Sequence, residues 1–261
     1  MPVVKTAAAS IRILALGTST EWCSVALLRR QPDELTVDTS NELLGQGHSC
    51  RLLAMIRDLL AESGTGLADL DAIAFDAGPG TFTGLRIGCG VAQGLGFALN
   101  TPLIGIGSLA AMAWQAAGYR GALVAADARM GEVYCGIHVR DGAGRMAACG
   151  PPVVLGASKA IEWFEAHVTE VSRAENGAGI DCCALGNGFA RFPELQAWAA
   201  ARLLPVRSDA WPSADAIAGL AEGAWIDGAT LDAERAAPWY VRDKVAFDVD
   251  EQAALRSARA Q

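Results

Sequence analysis

The chain has 261 residues, of which 52% are apolar, and a formal net charge of −8 at pH 7. This apolar fraction is large enough to form the core of one large domain or of two modest ones. The acidic balance argues against nucleic-acid binding by the chain alone, because nucleic-acid-binding proteins usually present a basic surface to the phosphates.

The sequence predicts neither a membrane span nor a secretory signal. An uncharged stretch over residues 87–119 is divided by Asn100-Thr101-Pro102, and its longer part falls short of the ~20 residues that cross a bilayer. Residues 1–10 contain one lysine and lack an apolar core followed by a cleavage site. The seven cysteines show no C-x-x-C pair and no regular spacing, so a location in the reducing cytoplasm is expected.

In chain order, the first predicted elements form a β-hairpin. Its strands cover residues 11–16 and 23–28, with a polar turn at 17–21, and a third strand is predicted over 35–43. A helix over 50–62 follows, with Leu52, Leu53, Ile56 and Leu60 on its apolar face.

The next feature is a strand over residues 70–75 that leads through Gly78-Pro79-Gly80 into a helix over 85–99. Thr81 or Thr83 could cap that helix, and such a corner can hold an anion. Glycine corners are nevertheless common in parallel α/β sheets, and most of them bind nothing. A Walker A loop is excluded because no lysine lies between Lys5 and Lys159, and the dinucleotide fingerprint fails because Thr83 stands where it needs glycine.

The helix over 85–99 has an unusual row of small residues. Gly84, Gly88 and Ala92 recur every four residues beside Val91 and Leu95, so another helix could approach its backbone closely. Packing of this row inside its own domain is the alternative explanation.

The second half repeats the opening pattern. A strand over 103–107 and a helix over 108–114 precede a hairpin with strands at 122–126 and 133–139. Later elements are a helix that contains Trp163 and Phe164, a corner at 184–188, and a helix capped by residues 212–215 that runs to about Trp225. We therefore predict an N-terminal lobe over 1–106, on which a helix at about 213–226 could pack, a C-terminal lobe over 107–247, and a frayed tail over 248–261.

No complete catalytic set is evident in the sequence. His48, His138 and His167 have no i, i+4 spacing, so no metal site is predicted. The charged residues best placed near strand ends could equally be in solvated turns or local ion pairs, and these are Asp76, Asp127, Arg129 and Glu132.

Several segments together resemble the TsaB family, also called YeaZ. They are Ile13-Leu14-Ala15-Leu16-Gly17-Thr18-Ser19-Thr20 with Cys23-Ser24-Val25-Ala26-Leu27, His48-Ser49 before Arg51-Leu52-Leu53, Gly78-Pro79-Gly80-Thr81-Phe82-Thr83-Gly84-Leu85-Arg86-Ile87-Gly88, Asp127-Ala128-Arg129-Met130-Gly131-Glu132-Val133-Tyr134, and Pro238-Trp239-Tyr240-Val241-Arg242-Asp243-Lys244-Val245-Ala246. The resemblance extends from about residue 11 to 246, and the segment from Gly78 to Arg86 is its most specific part.

The resemblance implies a two-lobed α/β fold of the actin, sugar kinase and Hsp70 type, each lobe a mixed sheet with flanking helices. It also implies a role in placing threonylcarbamoyl on the adenosine next to the anticodon of tRNAs that read codons beginning with A. In the resembled family, TsaC makes threonylcarbamoyl-AMP, TsaD transfers the group, and TsaB is a non-catalytic partner of TsaD in a complex that also contains TsaE. The tRNA would then be contacted only through the complex.

The resemblance further implies that the helices over 50–62 and 85–99 dock a TsaD-like partner in a four-helix bundle. The same surface would allow the chain to pair with itself. From the residues themselves, no cofactor is expected in the isolated chain, whereas ATP or ADP could bind at the partner junction; the candidate nucleotide-proximal residues are Thr18, Ser19, Gly80, Thr81 and Arg86. The expected docking residues are Leu52, Leu53, Ile56, Leu60, Gly84, Gly88, Val91, Ala92 and Leu95.

One departure from the resembled family concerns Gly17, where most members carry Asp. That carboxylate lies beside magnesium in the wider fold, so its absence weakens the alternative of an independent small-molecule kinase or ATPase. Asp127 and Gly186-Asn187-Gly188 are the only candidates for such a site. A protease, the third alternative, would need a nucleophile-base set or metal ligands that we do not find.

Overall fold

The computed structural model describes residues 10–142, 144–171 and 181–242, which form two sheets with helices on their faces. The predicted tail over 248–261 and the last part of the motif that begins at Pro238 lie outside the described residues. None of the described helices is long and apolar enough to cross a membrane.

The N-terminal sheet has five strands in the order β3-β2-β1-β4-β5. The first three strands form an antiparallel meander, and β4 and β5 join it in parallel. These strands are β1 (Ile11–Gly17), β2 (Trp22–Gln31), β3 (Glu34–Leu43), β4 (Ala72–Gly78) and β5 (Leu103–Gly107).

The C-terminal sheet repeats this arrangement. Its strands β6 and β7 form the antiparallel hairpin, β8 and β9 both pair with β7, and β10 and β11 join in parallel beside β6. These strands are β6 (Gly121–Arg129), β7 (Glu132–Arg140), β8 (Met146–Ala148), β9 (Val153–Gly156), β10 (Cys182–Leu185) and β11 (Val206–Arg207). The shared strand order confirms the predicted two-lobed fold of the actin, sugar kinase and Hsp70 type.

Helices cover both sheets. In chain order they are α1 (His48–Glu62), α2 (Phe82–Leu99), α3 (Ser108–Trp114), α4 (Ala157–Val171), α5 (Gly188–Arg191), α6 (Pro193–Ala201) and α7 (Ala214–Ile226). On the N-terminal sheet, α1 and α2 pack on one face and α7 on the other. On the C-terminal sheet, α4 and α6 pack on one face and α3 on the other.

The chain returns to the N-terminal sheet after it completes the C-terminal one. Beyond α7, the amide of Leu231 donates to the carbonyl of Leu103, and Gln93 in α2 donates to the carbonyls of Ala233 and Ala236. Residues 214–236 therefore lie against the N-terminal sheet; the predicted boundaries number all of them in the C-terminal lobe, but they allowed the helix at about 213–226 to pack in this way.

Candidate functional site

The small-residue row of α2 faces the interior of its own lobe. Gly84 and Gly88 are buried, and Ala92 is fully buried. A Cβ on Gly84 would lie 1.9 Å from the carbonyl oxygen of Thr18, and one on Gly88 would lie 2.5 Å from Thr18 Oγ1. The prediction that this row faces outward is wrong, because glycine here allows α2 to pack directly against the turn between β1 and β2.

Three of the leucine and isoleucine residues predicted to dock a partner are also in the core. Leu52, Ile56 and Leu60 belong to the cluster that joins α1 to the N-terminal sheet. They are therefore unavailable to a partner, because the apolar periodicity of α1 marks the face that packs on its own sheet.

The solvent side of the two helices has a different set of residues. Leu53 is 55% exposed and Phe97 is 76% exposed. Gly90 and Gly94 have open space where a Cβ would project, and Val91 and Leu95 are half-buried. Because α1 and α2 contact each other on the same face of the sheet, we call this set the outer helix surface; it contains Leu53, Gly90, Val91, Gly94, Leu95 and Phe97.

Asp76, in β4, is hydrogen-bonded to the turn between β1 and β2. Its carboxylate accepts hydrogen bonds from the hydroxyls of Ser19 and Ser108 and, at 3.1 Å, from the amide of Gly78. Burial raises the pKa of Asp76 to about 6, although these donors act in the opposite direction. Since the side chain has no access to solvent, Asp76 is placed to fix the turn rather than to meet a substrate.

The other charged residues near strand ends make local contacts. Asp127 accepts a bond from the amide of Arg129 at 2.8 Å and lies 3.6 Å from its guanidinium. Glu132 pairs with Arg242 at 2.5 Å. These are the local ion pairs that the sequence left open as an alternative to catalysis.

The residues proposed to lie near a nucleotide fall into two groups. Thr18 and Ser19 are buried. The Thr18 hydroxyl donates a hydrogen bond to the carbonyl of Gly84, and the Ser19 hydroxyl donates one to the carboxylate of Asp76. A Cβ on Gly80 would lie 2.5 Å from Ser19 Cβ, so this glycine also serves internal packing.

Thr81 and Arg86 are the exposed members of that set. The amide of Thr81 donates a hydrogen bond to the carbonyl of Ser19 at 2.7 Å, so this amide is not available to an anion. The side chain of Thr81 makes no hydrogen bond that caps α2. The Arg86 guanidinium lies over the Phe82 ring and bonds to the hydroxyl of Tyr240 at 3.0 Å.

A cavity of about 370 Å³ opens between the lobes. It is lined by Glu21 and Asp209 and by the half-buried rings of Trp22 and Trp211, which stack 4.9 Å apart. Among the residues that the structure describes, no arginine or lysine lines this cavity. An acidic lining opposes the phosphates of a nucleotide.

The candidate glycine corner of a kinase site has a packing role. A Cβ on Gly186 would lie 2.4 Å from the carbonyl oxygen of Ala125, and a Cβ on Gly188 would lie 2.7 Å from it. The side-chain oxygen of Asn187 accepts a hydrogen bond from the amide of Asp127. Within residues 10–142, 144–171 and 181–242, no group of three His, Cys, Asp or Glu residues could hold a metal ion. The structure thus adds no support for an independent kinase.

Gly17 lies where a side chain has little room. A Cβ there would be 3.1 Å from the carbonyl oxygen of Pro212 and 3.3 Å from Ile217 Cδ1. A side chain at residue 17 would therefore require the segment before α7 to shift by a few tenths of an ångström.

A segment at the end of the described chain joins the two lobes, and the residue patterns alone did not predict this role. The Trp239 amide donates to the carbonyl of Ala77 in β4, and Arg242 donates to the carbonyl of Ala128 at the end of β6. Its only sequence signal was the family motif beginning at Pro238. We call residues 238–242 the strap.

Comparisons with known proteins agree with this geometry. A family model described as TsaD, tRNA N6-adenosine threonylcarbamoyltransferase, matches residues 41–198. A transferase of that name from Nitrosospira multiformis is 51% identical over 65 residues, which are 25% of this chain but only 19% of that protein.

Solved structures match over a much larger part of the chain. A Pseudomonas aeruginosa protein described as similar to peptidase YEAZ superposes with a TM-score of 0.72 at 36% identity, covering 89% of this chain and all of that one. YeaZ from the same organism superposes with a TM-score of 0.70 at 36% identity, covering 88% of this chain and 99% of that one.

Two relatives named tRNA threonylcarbamoyladenosine biosynthesis protein TsaB match along nearly their whole length. The protein from Escherichia coli (strain K12) is 36% identical and covers 91% of this chain and 97% of its own. The protein from Haemophilus influenzae is also 36% identical, and the match covers 91% of this chain and 96% of that protein. From these full-length matches we conclude that the chain belongs to the TsaB family of tRNA threonylcarbamoyladenosine biosynthesis proteins.

Proposed function

We propose that this chain is a non-catalytic partner that a TsaD-type transferase requires to place threonylcarbamoyl on the adenosine next to the anticodon of ANN-decoding tRNAs. It acts in one complex with the transferase and a TsaE-like ATPase, and it meets tRNA only through that complex. The names of its relatives support the pathway, and the acidic charge of the chain supports the indirect contact with tRNA.

The observation that carries the proposal is the outer helix surface. Leu53 in α1 and Phe97 in α2 expose large apolar side chains, and the backbone of α2 is open at Gly90 and Gly94. A partner helix could approach α2 closely at these glycines and bury both apolar side chains. Each buried Å² of apolar surface contributes about 25 cal/mol, so a modest patch has a large effect on affinity.

The decisive experiment measures binding to the TsaD-type transferase of the same organism by calorimetry. We expect Leu53→Asp and Gly94→Leu to weaken binding about tenfold or more, because one places a charge in the interface and the other blocks close approach. Leu53→Asp should keep the melting temperature of the wild type, and Gly94→Leu should keep or raise it, since neither position packs against the core and leucine favours the helix more than glycine does. Threonylcarbamoyl transfer to tRNA by the reconstituted complex should fall with the affinity.

Leu203→Asp is the matched control, because Leu203 is 90% exposed and lies outside α1 and α2. It should bind normally. Normal binding by both helix variants would reject this docking surface, and robust tRNA modification by the chain without the transferase would reject the non-catalytic role.

We extend the proposal to nucleotide. ATP or ADP binds only when the partner completes the site, because the hydroxyls of Thr18 and Ser19 are already used internally while Thr81 and Arg86 reach the surface. Equilibrium dialysis should then detect nucleotide on the complex and not on the chain alone, and Arg86→Ala should lower retention by the complex. Tight binding of ATP by the isolated chain would contradict this part.

A further inference from the structure

The cavity between the lobes is lined by two carboxylates that no other described residue neutralises. Glu21 ends the turn between β1 and β2, and Asp209 lies between β11 and α7. Both residues are exposed, and neither side chain forms an ion pair or a hydrogen bond within the described part of the chain. The solvent side of the cavity is therefore negative, and it attracts cations.

Two stacked indole rings form the apolar wall of the same cavity. Trp22 begins β2, Trp211 precedes α7, and the ring planes are within 13° of parallel. Nε2 of His48 lies 3.2 Å from the carbonyl oxygen of Trp22, and the side chain of Gln115 donates a hydrogen bond to the carbonyl of Trp211 at 2.6 Å. These contacts fix the backbone beneath both rings, so a ligand would meet a wall that is already in place.

The walls of the cavity exclude several classes of ligand. Phosphates and free carboxylates are repelled by Glu21 and Asp209. A metal ion does not fit, because the described residues offer no group of three His, Cys, Asp or Glu side chains to hold one. An aromatic wall together with carboxylates favours an organic cation.

The C-terminal lobe contains a complete example of this chemistry. The guanidinium of Arg202 lies over the ring of Trp198, 4.7 Å from its centroid, and bonds to the carboxylate of Glu165. That carboxylate also accepts the indole N–H of Trp198 at 3.2 Å. One tryptophan and one carboxylate therefore hold a guanidinium in this chain, and the cavity between the lobes has the same two kinds of side chain in duplicate.

A guanidinium suits these walls better than an ammonium. It is planar and weakly hydrated, so it can stack on an indole, and its N–H groups lie in the same plane, where they can reach carboxylates. An ammonium is compact and strongly hydrated, so contact with the rings would remove more of its hydration. The cavity volume of about 370 Å³ is also within the range of small-ligand sites, ~300–1,000 Å³.

From these observations we propose that the cavity between the lobes binds a guanidinium group, which stacks on the pair Trp22 and Trp211 and bonds to the carboxylates of Glu21 and Asp209. The group belongs either to a free arginine-like molecule or to an arginine side chain of another protein, since both have the same chemistry at the site. None of the lining residues belongs to α1 or α2, so this site is independent of the outer helix surface.

The test follows the indole N–H signals of the full chain by NMR, with Trp22→Phe and Trp211→Phe used to assign them. L-argininamide is the first probe, because it keeps the guanidinium and has no carboxylate. It should shift the two assigned signals to saturation. L-lysinamide should bind about fivefold more weakly or worse, and the uncharged side chain of L-citrullinamide should abolish binding. Salt should weaken the binding of L-argininamide, since the carboxylates are exposed.

Charge variants test the carboxylates. Glu21→Gln and Asp209→Asn change exposed side chains, so both should keep the wild-type melting temperature, and each should bind L-argininamide about fivefold more weakly or worse. Glu34→Gln is the matched control, because it removes the same charge from an exposed residue outside the cavity. It should bind as tightly as the wild type.

A variant of the wall tests the rings. Trp211→Leu keeps both carboxylates and should weaken binding of L-argininamide, whereas Trp211→Tyr keeps an aromatic face and should retain more of it. Because Trp211 is half-buried, the melting temperature of both variants is measured alongside. The Tyr variant provides the comparison if the Leu variant does not fold.

A second probe separates the two sources of the guanidinium. It is a short peptide with one arginine between glycines and with both ends blocked. If the group belongs to a protein, the peptide should bind at least as tightly as L-argininamide, because only the side chain enters the cavity. If it belongs to a free molecule, the peptide should bind more weakly, because its backbone meets the rim.

Three outcomes would overturn the proposal. They are no shift of either assigned indole signal with millimolar L-argininamide, equal affinity for L-argininamide and L-lysinamide, and an equal loss of binding in Glu21→Gln and Glu34→Gln. The second outcome would assign binding to charge alone. The third would assign it to the net charge of the chain rather than to this cavity.

Discussion

The turn between β1 and β2 and the turn between β6 and β7 occupy the same place in the two sheets, but their surroundings are opposite. In the first turn Thr18 and Ser19 are buried under α2 and bonded to Gly84 and Asp76. The second turn is exposed at Arg129 and Met130, which both have positive φ.

The difference shows how one hairpin design is stabilised in two ways. The first turn is fixed by close packing of backbone on backbone, which leaves no room for a side chain at Gly84. The second is fixed by polar bonds from the strap, in which Arg242 contacts Ala128 and Glu132. We therefore expect substitutions near the first turn to affect folding much more than substitutions near the second.

The largest effect is expected for Gly84→Leu. Its Cβ would overlap the Thr18 carbonyl, which belongs to the backbone and cannot move aside, so the variant should lose more than about 3 kcal/mol of stability or fail to fold. Gly90→Leu is the control on the opposite face of α2, where the higher helix propensity of leucine should raise stability by up to about 1 kcal/mol. Urea unfolding compares the two, and equal midpoints would show that the turn does not depend on close packing.

The next effect concerns one buried titratable group in each lobe. Burial raises the pKa of Asp76 from 3.8 to about 6, so the folded state binds more protons and stability falls as the pH rises from about 4 to 6. Burial lowers the pKa of His138 from 6.5 to about 4, and its Nδ1 has no hydrogen-bond partner in the described structure. Here the unfolded state binds more protons, so stability rises with pH over nearly the same interval.

The wild-type stability should therefore change little between pH 4 and 6, because the two contributions oppose each other. In Asp76→Asn the free energy of unfolding should rise by about 2 kcal/mol from pH 4 to 6, and in His138→Leu it should fall by a similar amount. Urea midpoints measured at constant ionic strength across this interval test both slopes. Two variants with the same slope as the wild type would show that neither group titrates in this range.

A smaller effect is expected when a carboxylate is introduced into each turn. Gly17→Asp places its side chain against the Pro212 carbonyl and should cost about 2 kcal/mol. Gly131→Asp projects into open space, and its positive φ of 78° should cost about 1 kcal/mol. Thermal unfolding measures both, and neither variant should hydrolyse ATP. Turnover by Gly17→Asp would mean that a nucleotide site was complete except for this carboxylate.

The smallest effect is expected for Arg242→Ala. It removes a partly exposed ion pair with Glu132, so stability should fall by about 1 kcal/mol or less. Hydrogen exchange should nevertheless speed up at residues 128–132, because the strap no longer holds the second turn. Unchanged exchange there would assign the stability of this turn to its own backbone.

The sequence predicted the elements around both turns because hairpins and amphipathic helices leave clear periodicities. The starts of the helices were predicted less exactly. α1 begins at His48 rather than at residue 50, after Gly47 in the left-handed region, and α2 begins at Phe82 rather than at residue 85. The direction of the Gly84 row could not be read from spacing, since a smooth helix face packs equally well against its own turn or a second protein. The position of the strap could not be predicted from residue patterns, because it depends on contacts between Arg242 and residues more than 100 positions earlier in the chain.

The return of α7 to the first sheet also determines the order in which the chain can be completed. During synthesis, the face of that sheet with Ile13, Ala15 and Leu28 stays uncovered until residues 214–226 have been made. The lobe that begins first is therefore finished last, after the second sheet has been translated. For the same reason, a fragment that ends after β5 would expose an apolar face and would be a poor unit for expression on its own.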